Sequence, residues 1–300
     1  MIKSLSILMP SYNNLCGGFV EELRRQAESI GSDGFRYEII VADDGSPDPS
    51  FTRANSSINK LGCCRYIVRK ENVGRAAIRN FLASEAQYEY LLFLDSDRKV
   101  CSDDFIRRYV SMENVEVACG GLRIGGDSSC LCHNIRYRME KKYEPHNTAE
   151  GRQAREYKNF NTSNFMVRRD IILSIPFDER FRRYGYEDVM WGRQLHDNNI
   201  RITHIDNPIM LDDFETNPGF VSKMETGMDT LHAFNDELRG YSAIIDAADK
   251  LNKLHLATPY RLLFNAMRKP IRRNLTGERP IVPLLNFYKL GIFINKSNRP

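Results

Sequence analysis

The chain has 300 residues, of which 42% are hydrophobic and 27% are charged, and its formal net charge is +4. These values are typical of a globular protein and exclude a chain that is disordered over its whole length. No stretch of the sequence approaches the roughly eighteen consecutive apolar residues of a membrane-spanning helix.

Cysteine usage and the N-terminal segment indicate the compartment. The seven cysteines are an odd set with no CxxC pair and no histidine at a zinc-finger spacing, so we expect reduced thiols in the cytoplasm. The first residues, MIKSLSILMPSYNN, break their apolar run at Pro10 and show no cleavage site, so no export is expected.

The first half of the chain alternates short apolar strands with amphipathic helices. We predict strands in SLSILMP, YEIIVAD, CRYIVRKE and YEYLLFLDSD, and helices in FVEELRRQAESI, GRAAIRNFLASEA and DDFIRRYVSM. Such alternation predicts βαβ units, and therefore an α/β fold with a mostly parallel, mixed sheet flanked by helices. The carboxyl ends of the strands then lie at one edge of the sheet, where ligands of such folds bind.

The second half has a different pattern. It begins with a strand with glycine bends in VACGGLRIGG, and a polar, loop-rich insertion follows over 127–158. Next we predict a strand and a short helix in FNTSNFMVRRDIILSI. Two acids then open the helix of YGYEDVMWGRQLHDNNI, and a helical region covers 219–257. We predict one domain over 1–230, in which the pattern changes at about residue 115 and divides it into 1–115 and 116–230. A helical, basic C-terminal extension follows over 231–300.

Three polar clusters follow predicted strands and should meet at the same sheet edge. They are SYNN, ADDGS and DSD, and the last places Asp95 and Asp97 directly after a buried apolar run. Carboxylate oxygens are suitable ligands for Mg²⁺ or Mn²⁺, ions that also bind substrate phosphates. The alternatives are a solvated loop for DSD and an Asx-turn or helix cap for Asp43 and Asp44.

The series SILMPSYNN, EIIVADDGSPD, ENVGRAAIRN, LLFLDSD and RRYGYEDVMWGRQL resembles glycosyltransferase family 2, the inverting, nucleotide-sugar-dependent enzymes of the GT-A fold. The order and spacing match over about residues 3–230. The resemblance implies a Rossmann-like sheet, a UDP-sugar donor and a bound Mn²⁺ or Mg²⁺. It further implies that 1–230 is a glycosyltransferase domain, with 1–115 as its nucleotide-binding half and 116–230 as its acceptor-binding half. A role for each matching residue is also implied.

On the donor side, the resemblance implies that Pro10, Tyr12 and Asn13 lie beside the uracil base, and that Asp43 or Asp44 accepts a hydrogen bond from its N3–H. Arg79 would face the diphosphate, since a guanidinium pairs well with phosphate oxygens. The alternative for Arg79 is an ion pair with an acid at the sheet edge.

For the metal, the resemblance implies that Asp95 contacts the ribose or the donor sugar, and that Asp97, with Asp95, binds the ion bridging both phosphates. Family members often place a metal-binding histidine where this chain has Leu211. Asp212 is the expected substitute, with Asp213 as the alternative.

On the acceptor side, the resemblance implies that Asp188 is the general base and that Glu187 binds acceptor hydroxyls. Asn164, in the TSNFMVRR strand, would line the nucleotide-sugar donor pocket or the acceptor pocket. The alternative for both acids is a first helical turn in which they are stabilised by the helix dipole.

The sequence therefore predicts a metal-dependent inverting hexosyltransferase that moves a sugar from a UDP-sugar to a glycan or lipid-linked acceptor in cell-surface polysaccharide biosynthesis. A nucleotidyltransferase and a non-catalytic protein that binds nucleotide sugars remain the alternatives.

The segment TPYRLLFNAMRKPIRRNL mixes apolar and basic residues, which predicts peripheral contact with an anionic membrane at its cytoplasmic face. A solvated helix packed on the catalytic domain is the alternative. Nucleic acid is not an expected partner, because no aromatic stacking positions alternate with these charges.

Overall fold

The computed structural model describes residues 1–31 and 34–296. Its ten strands are β1 Ser4–Ser11, β2 Arg36–Asp43, β3 Cys64–Val68, β4 Tyr90–Leu94, β5 Lys99–Val100, β6 Val117–Cys119, β7 Leu122–Ile124, β8 Asn164–Arg168, β9 Ile202–His204 and β10 Ile209–Leu211. Its α-helices are α1 Gly17–Glu28, α2 Pro49–Asn55, α3 Arg75–Glu85, α4 Phe105–Val110, α5 Ser128–Leu131, α6 Ile135–Tyr143, α7 Ala149–Gln153, α8 Arg169–Ser174, α9 Glu187–Asp197, α10 Asn217–Ala233, α11 Ala243–Lys253, α12 Ala257–Leu275 and α13 Val282–Lys296.

Seven strands form the central sheet, in the order β3-β2-β1-β4-β8-β6-β9. All run parallel except β8, which is antiparallel to both β4 and β6. A second, three-stranded sheet has the order β5-β10-β7. This arrangement confirms the predicted α/β fold with a mixed, mostly parallel sheet.

Helices cover both faces of the central sheet, which explains why its middle strands are apolar on both sides. Helices α1 and α4 pack on one face, burying residues such as Leu23 and Phe105. Helices α3, α8 and α9 cover the other face, where Leu82, Ile171 and Trp191 lie in one hydrophobic cluster. Because both faces are closed, polar ligands can reach the sheet only at its edges.

The segment 127–158 is largely helical, and its description as loop-rich was wrong in that respect. It contains α5, α6 and α7, and the side chains of Asp127, Asn134 and Thr148 cap their N-termini. These helices are short and bury few apolar side chains, so apolar residues do not recur in their sequences at the spacing that predicts a helix. Their start signals are single capping residues, which are also common in turns.

The last four helices share a third hydrophobic core with the body of the protein. This core joins residues of α10 to α13 with Phe181 and with Met190 of α9. The predicted domain boundary at residue 230 falls inside α10, so the C-terminal extension packs continuously against the preceding part of the chain. None of the described helices is long and apolar enough to cross a membrane.

Asn164 in β8 is the centre of a buried polar junction. Its Nδ2 donates to the carbonyls of Gly121 (3.0 Å) and Asn207 (2.8 Å), and its Oδ1 accepts from the Tyr109 hydroxyl (2.7 Å). The side chain is fully buried and bonded within the protein. Asn164 therefore has a structural role and does not line an open pocket.

We expect Gly120→Ala to lower the free energy of unfolding by about 1–3 kcal/mol. A Cβ atom at Gly120 would lie 2.4 Å from Asn164 Nδ2, from the Asn207 carbonyl oxygen and from the Tyr109 hydroxyl. Gly62→Ala is the matched control, because a Cβ there meets nothing within 4 Å. Urea denaturation of both variants checks the prediction, and equal midpoints would contradict it.

Candidate active site

The structure brings the three polar clusters of the carboxyl edge together. Strand β1 pairs with β2 on one side and with β4 on the other, so the loops that follow these strands are neighbours. The backbone N–H of Asn13 donates to Ser46 Oγ (2.8 Å), which joins the first cluster to the second. Asn14 Nδ2 donates to Ser96 Oγ (3.2 Å), which joins the first to the third.

The predicted base-binding residues lie at the start of this edge. Pro10 is the last but one residue of β1 and pairs with Ala42 of β2. Tyr12 follows the strand, and its side chain is exposed, so its ring has a free face. Asn13 has a left-handed backbone with φ of 48°, which turns the chain away from the strand. A stacking role for Tyr12 stays a prediction.

Asp43 and Asp44 both hold loops in place. Asp43 accepts hydrogen bonds from the backbone N–H (2.8 Å) and hydroxyl (2.6 Å) of Ser46. Asp44 accepts from the backbone N–H groups of Val73 (3.0 Å) and Gly74 (3.1 Å), and burial raises its pKa. These contacts stabilise turns, which agrees with the Asx-turn alternative for Asp43 and Asp44. Hydrogen bonding of either acid to the uracil base stays a prediction.

Asp95 is enclosed by positive charge. Its Oδ1 accepts from Arg79 Nη2 (2.9 Å), while its Oδ2 accepts from Ser163 Oγ (2.7 Å) and Arg75 Nη2 (3.3 Å). Burial by itself would raise the pKa of Asp95, but Arg75, Arg79 and Arg98 outweigh burial and hold that pKa below its usual range. Asp95 is therefore an anchor for the arginines, with little capacity left for a metal ion.

Glu187, the first residue of α9, lies on the other side of the same arginines. Its Oε1 is 3.1 Å from Arg75 Nε and 3.7 Å from Arg79 Nη1. Two arginines of α3 therefore link the loop after β4 to the start of α9. We define the buried charge cluster as Arg75, Arg79, Asp95 and Glu187.

The two arginines differ in exposure. The Arg79 side chain is 1% exposed, whereas that of Arg75 is 40% exposed and lines the cleft. Arg79 is the residue predicted to face the diphosphate, but of these two arginines it is Arg75 whose side chain reaches the open space. Their spacing of four residues placed both on one helical face without showing which was closer to solvent.

Asp188 lines the same cleft but has no cation within ion-pair distance among the described residues. Its Oδ1 accepts only from the backbone N–H of Val189 (2.8 Å) in the hydrogen bonds that the structure shows. Burial, and then the neighbouring charge of Glu187, raise the pKa of Asp188 to about 6. A carboxylate with this pKa is suited to accept a proton near neutral pH.

Asp97 and Asp212 face a common groove beside the cleft. The groove has a volume of about 580 Å³ and is also lined by Asp213. Asp97 pairs with Arg98 Nη1 (2.9 Å) and is half-exposed, and Asp212 Oδ2 accepts from Lys99 Nζ (2.6 Å). Within residues 1–31 and 34–296 no group of three His, Cys, Asp or Glu side chains forms a metal cage.

This donor set suits an ion that takes one or two protein carboxylates and completes its shell with phosphate oxygens and water. Asp97 and Asp212 are the residues that would hold it. The histidine of β9, His204, is not free to bind a metal ion, because both of its ring nitrogens have partners. Its Nδ1 lies 3.3 Å from Arg152 Nε and its Nε2 lies 2.8 Å from the Glu156 carbonyl oxygen. Leu211, at the position where family members often have the metal-binding histidine, is buried.

The wall of the cleft that faces Asp188 comes from helices far along the chain. The cleft has a volume of about 450 Å³, and this wall is lined by Arg136, Glu140, Lys223, Met224, Met228 and Lys289. Burial lowers the pKa of Lys289 and raises that of Glu140. These residues could not be identified from the sequence, since the positions of α6, α10 and α13 along the chain do not show that the three helices meet at the cleft.

Comparisons with known proteins find similarity to glycosyltransferases in sequence and in fold. A cholesterol galactosyltransferase from Borreliella burgdorferi is 26% identical over 211 residues, which cover 65% of this chain and 55% of that protein. The chain spans between 38% and 63% of the length of the curated relatives that it matches.

Among solved structures, the mannosyltransferase PcManGT from Pyrobaculum calidifontis, in complex with GDP-Man and Mn²⁺, aligns with a TM-score of 0.56 at 13% identity. That alignment covers 98% of this chain and 87% of the mannosyltransferase. TarS 1–349 of S. aureus, in complex with UDP-GlcNAc, aligns with a TM-score of 0.50 at 16% identity, covering 98% of this chain and 91% of TarS.

These structural likenesses show a GT-A-like fold. The family model of Glycosyl transferase family 2 matches residues 6–175, which is more than half of the chain. The protein therefore belongs to glycosyltransferase family 2.

Proposed function

We propose that the protein is a metal-dependent inverting hexosyltransferase that moves a sugar from a UDP-sugar to a glycan or lipid-linked acceptor in cell-surface polysaccharide synthesis. The observation that carries this proposal is the placement of Asp188. Its carboxylate, with a raised pKa, faces the same cleft as Arg75 and Asp97. One cleft therefore combines a proton acceptor with groups that suit a diphosphate.

On the donor side, Arg75 supplies positive charge that a diphosphate needs, and the exposed Tyr12 ring supplies a surface for the base. Asp97, with Asp212, would hold the metal ion. A bound Mn²⁺ or Mg²⁺ stabilises the negative charge of the leaving nucleoside diphosphate.

On the acceptor side, Asp188 accepts the proton of the attacking hydroxyl. The acceptor oxygen then bonds to the anomeric carbon from the face opposite the nucleotide. The bond from that carbon to the phosphate oxygen breaks, and its electron pair leaves with the diphosphate, which inverts the configuration. Glu187, held by Arg75 and Arg79, fixes the start of α9 and thereby the position of Asp188.

The cytoplasm is the proposed compartment for this reaction. The seven cysteines are all free thiols in the structure, which is what a reducing compartment maintains.

Titration of UDP into the protein tests the donor site. We expect calorimetric binding in Mn²⁺ that is lost in EDTA and weakened at least tenfold by Asp97→Ala, with a smaller loss for Asp212→Ala. Asp103→Ala is the matched control, because Asp103 is an exposed acid that pairs with Arg25 outside the groove.

A parallel titration with GDP tests the base, since one structural relative is a complex with GDP-Man. Equal binding of UDP in EDTA would contradict the metal role, and tighter binding of GDP would contradict the proposed donor.

The pH dependence of transfer tests Asp188. The base must be deprotonated, so kcat/KM should be half-maximal near pH 6, the raised pKa of Asp188, fall below that pH and level off more than about one pH unit above it. Asp188→Asn should lower kcat by about 10²–10⁴-fold while UDP binding persists. If Asp188→Asn kept both its rate and the acidic limb of the profile, another group would be the base.

The two arginines of the buried charge cluster should respond differently to substitution. Arg75→Met should weaken UDP binding about tenfold or more, through loss of a charged hydrogen bond, and lower the free energy of unfolding by at most about 1 kcal/mol. Arg79→Met should lower that free energy by about 3 kcal/mol or more, because it removes the buried cation that lies 2.9 Å from Asp95 and leaves that acid with the longer contact to Arg75.

Urea denaturation and UDP calorimetry of both arginine variants give the comparison. Arg193→Met, which removes an exposed ion pair with Asp197, serves as the stability control. A reversed pattern, with Arg79→Met stable and defective in UDP binding, would restore Arg79 as the phosphate ligand.

A further inference from the structure

Helix α12 presents apolar side chains to solvent beside and opposite its buried face. Phe264 and Ile271 point into the third hydrophobic core, whereas Leu262 is 65% exposed and Leu263 is 54% exposed. Met267 on the same helix is also exposed. Isolated exposed leucines are ordinary, but a helix that buries one apolar stripe and exposes a second is not explained by packing within this chain.

The charge around this stripe has one sign. From Lys250 to Gly277 the sequence contains no Asp or Glu. Its seven basic residues over the same span are Lys250, Lys253, Arg261, Arg268, Lys269, Arg272 and Arg273. We define the α12 face as Leu262, Leu263, Met267, Lys269 and Arg273.

Helical spacing places two of these cations beside the apolar stripe. Lys269 and Arg273 follow Leu262 by seven and eleven residues, which is the same side of an α-helix. Arg272, by contrast, is turned toward α10, where its Nε lies 2.8 Å from Glu225 Oε1. The cations of the α12 face have no such ion pair among the described residues.

The packing of α12 relates this face to the cleft. Tyr260 donates a hydrogen bond to the Phe287 carbonyl of α13 (2.8 Å), and α12 also contacts α10 through Arg272. Helices α10 and α13 contribute Lys223 and Lys289 to the cleft wall. Packed helices lie about 8–10 Å apart, so the α12 face is one helix layer behind that wall.

We propose that the α12 face docks on the surface of an anionic lipid bilayer, with Leu262, Leu263 and Met267 entering the interface and Lys269 and Arg273 contacting lipid phosphates. Exposed apolar residues next to uncompensated cations complement such a surface in both hydrophobicity and charge. A second copy of this face is a poorer occupant, because the two sets of cations would repel each other.

The docking inference does not depend on the transferase reaction. It adds to that reaction a consequence for the acceptor, since a sugar carried on a membrane lipid would be held beside the helices that line the cleft.

Co-sedimentation of the full chain with lipid vesicles tests the inference. We expect binding to vesicles of phosphatidylcholine with phosphatidylglycerol, little binding to phosphatidylcholine alone, and loss of binding when NaCl is raised to about 0.5 M. Lys269→Glu with Arg273→Glu should lower the partition coefficient at least about tenfold, since each surface cation contributes about fivefold. Leu262→Ser with Leu263→Ser should also lower it about tenfold or more.

The controls use exposed residues elsewhere on the protein. Leu173→Ser removes an exposed leucine of α8, and Lys3→Glu with Lys60→Glu reverses two exposed charges. Both should bind vesicles as the unchanged protein does, and thermal melting should show that all variants are folded.

Failure of the unchanged protein to sediment, equal binding to neutral vesicles, or wild-type binding by both α12 variants would each overturn the inference. A change of oligomeric state in the leucine variant, measured by size-exclusion chromatography with light scattering, would identify the face as a contact between copies and overturn it as well.

Discussion

The buried guanidinium of Arg79 is the constraint on which the rest of the site depends. A charge that is 1% exposed costs several kcal/mol unless acids surround it, and Asp95 and Glu187 provide this compensation. Asp95 follows β4 and Glu187 opens α9, so satisfying one cation fixes the distance between the two halves of the cleft. The compensation is incomplete, because Arg79 Nε is buried without a hydrogen-bond partner.

This cluster also separates the carboxyl groups into different roles. Asp95, among three arginines, has its pKa held low and stays ionised, whereas the pKa of Asp188 is raised by burial and by its neighbour Glu187. Pairs of acids whose surroundings move their pKa values apart are typical of sites that need one permanent charge and one proton acceptor. The arginines create that difference, since they pair with Asp95 and leave Asp188 without an ion pair.

The sequence was a good guide to the sheet and to the edge where the loops meet, because strand order and crossover handedness follow general rules. It was a poor guide to contacts made within that edge. Arg75 and Arg79 share a helical face, and only the packing of Phe177 and α9 against α3 decides which one is buried. Asn164 is predicted to line a pocket, yet its buried side chain cross-links three segments of the core through hydrogen bonds.

The contribution of α13 to the cleft has a consequence for how acceptor specificity is distributed along the chain. The family match ends at residue 175, whereas Lys289 lies more than a hundred residues beyond it and still forms part of the wall opposite Asp188. Under the proposed function, the donor-side residues Arg75 and Asp97 and the cleft residue Lys289 therefore lie in separate stretches of sequence. Exchange of the last helices would then alter the acceptor side of the cleft while those donor-side residues stayed unchanged.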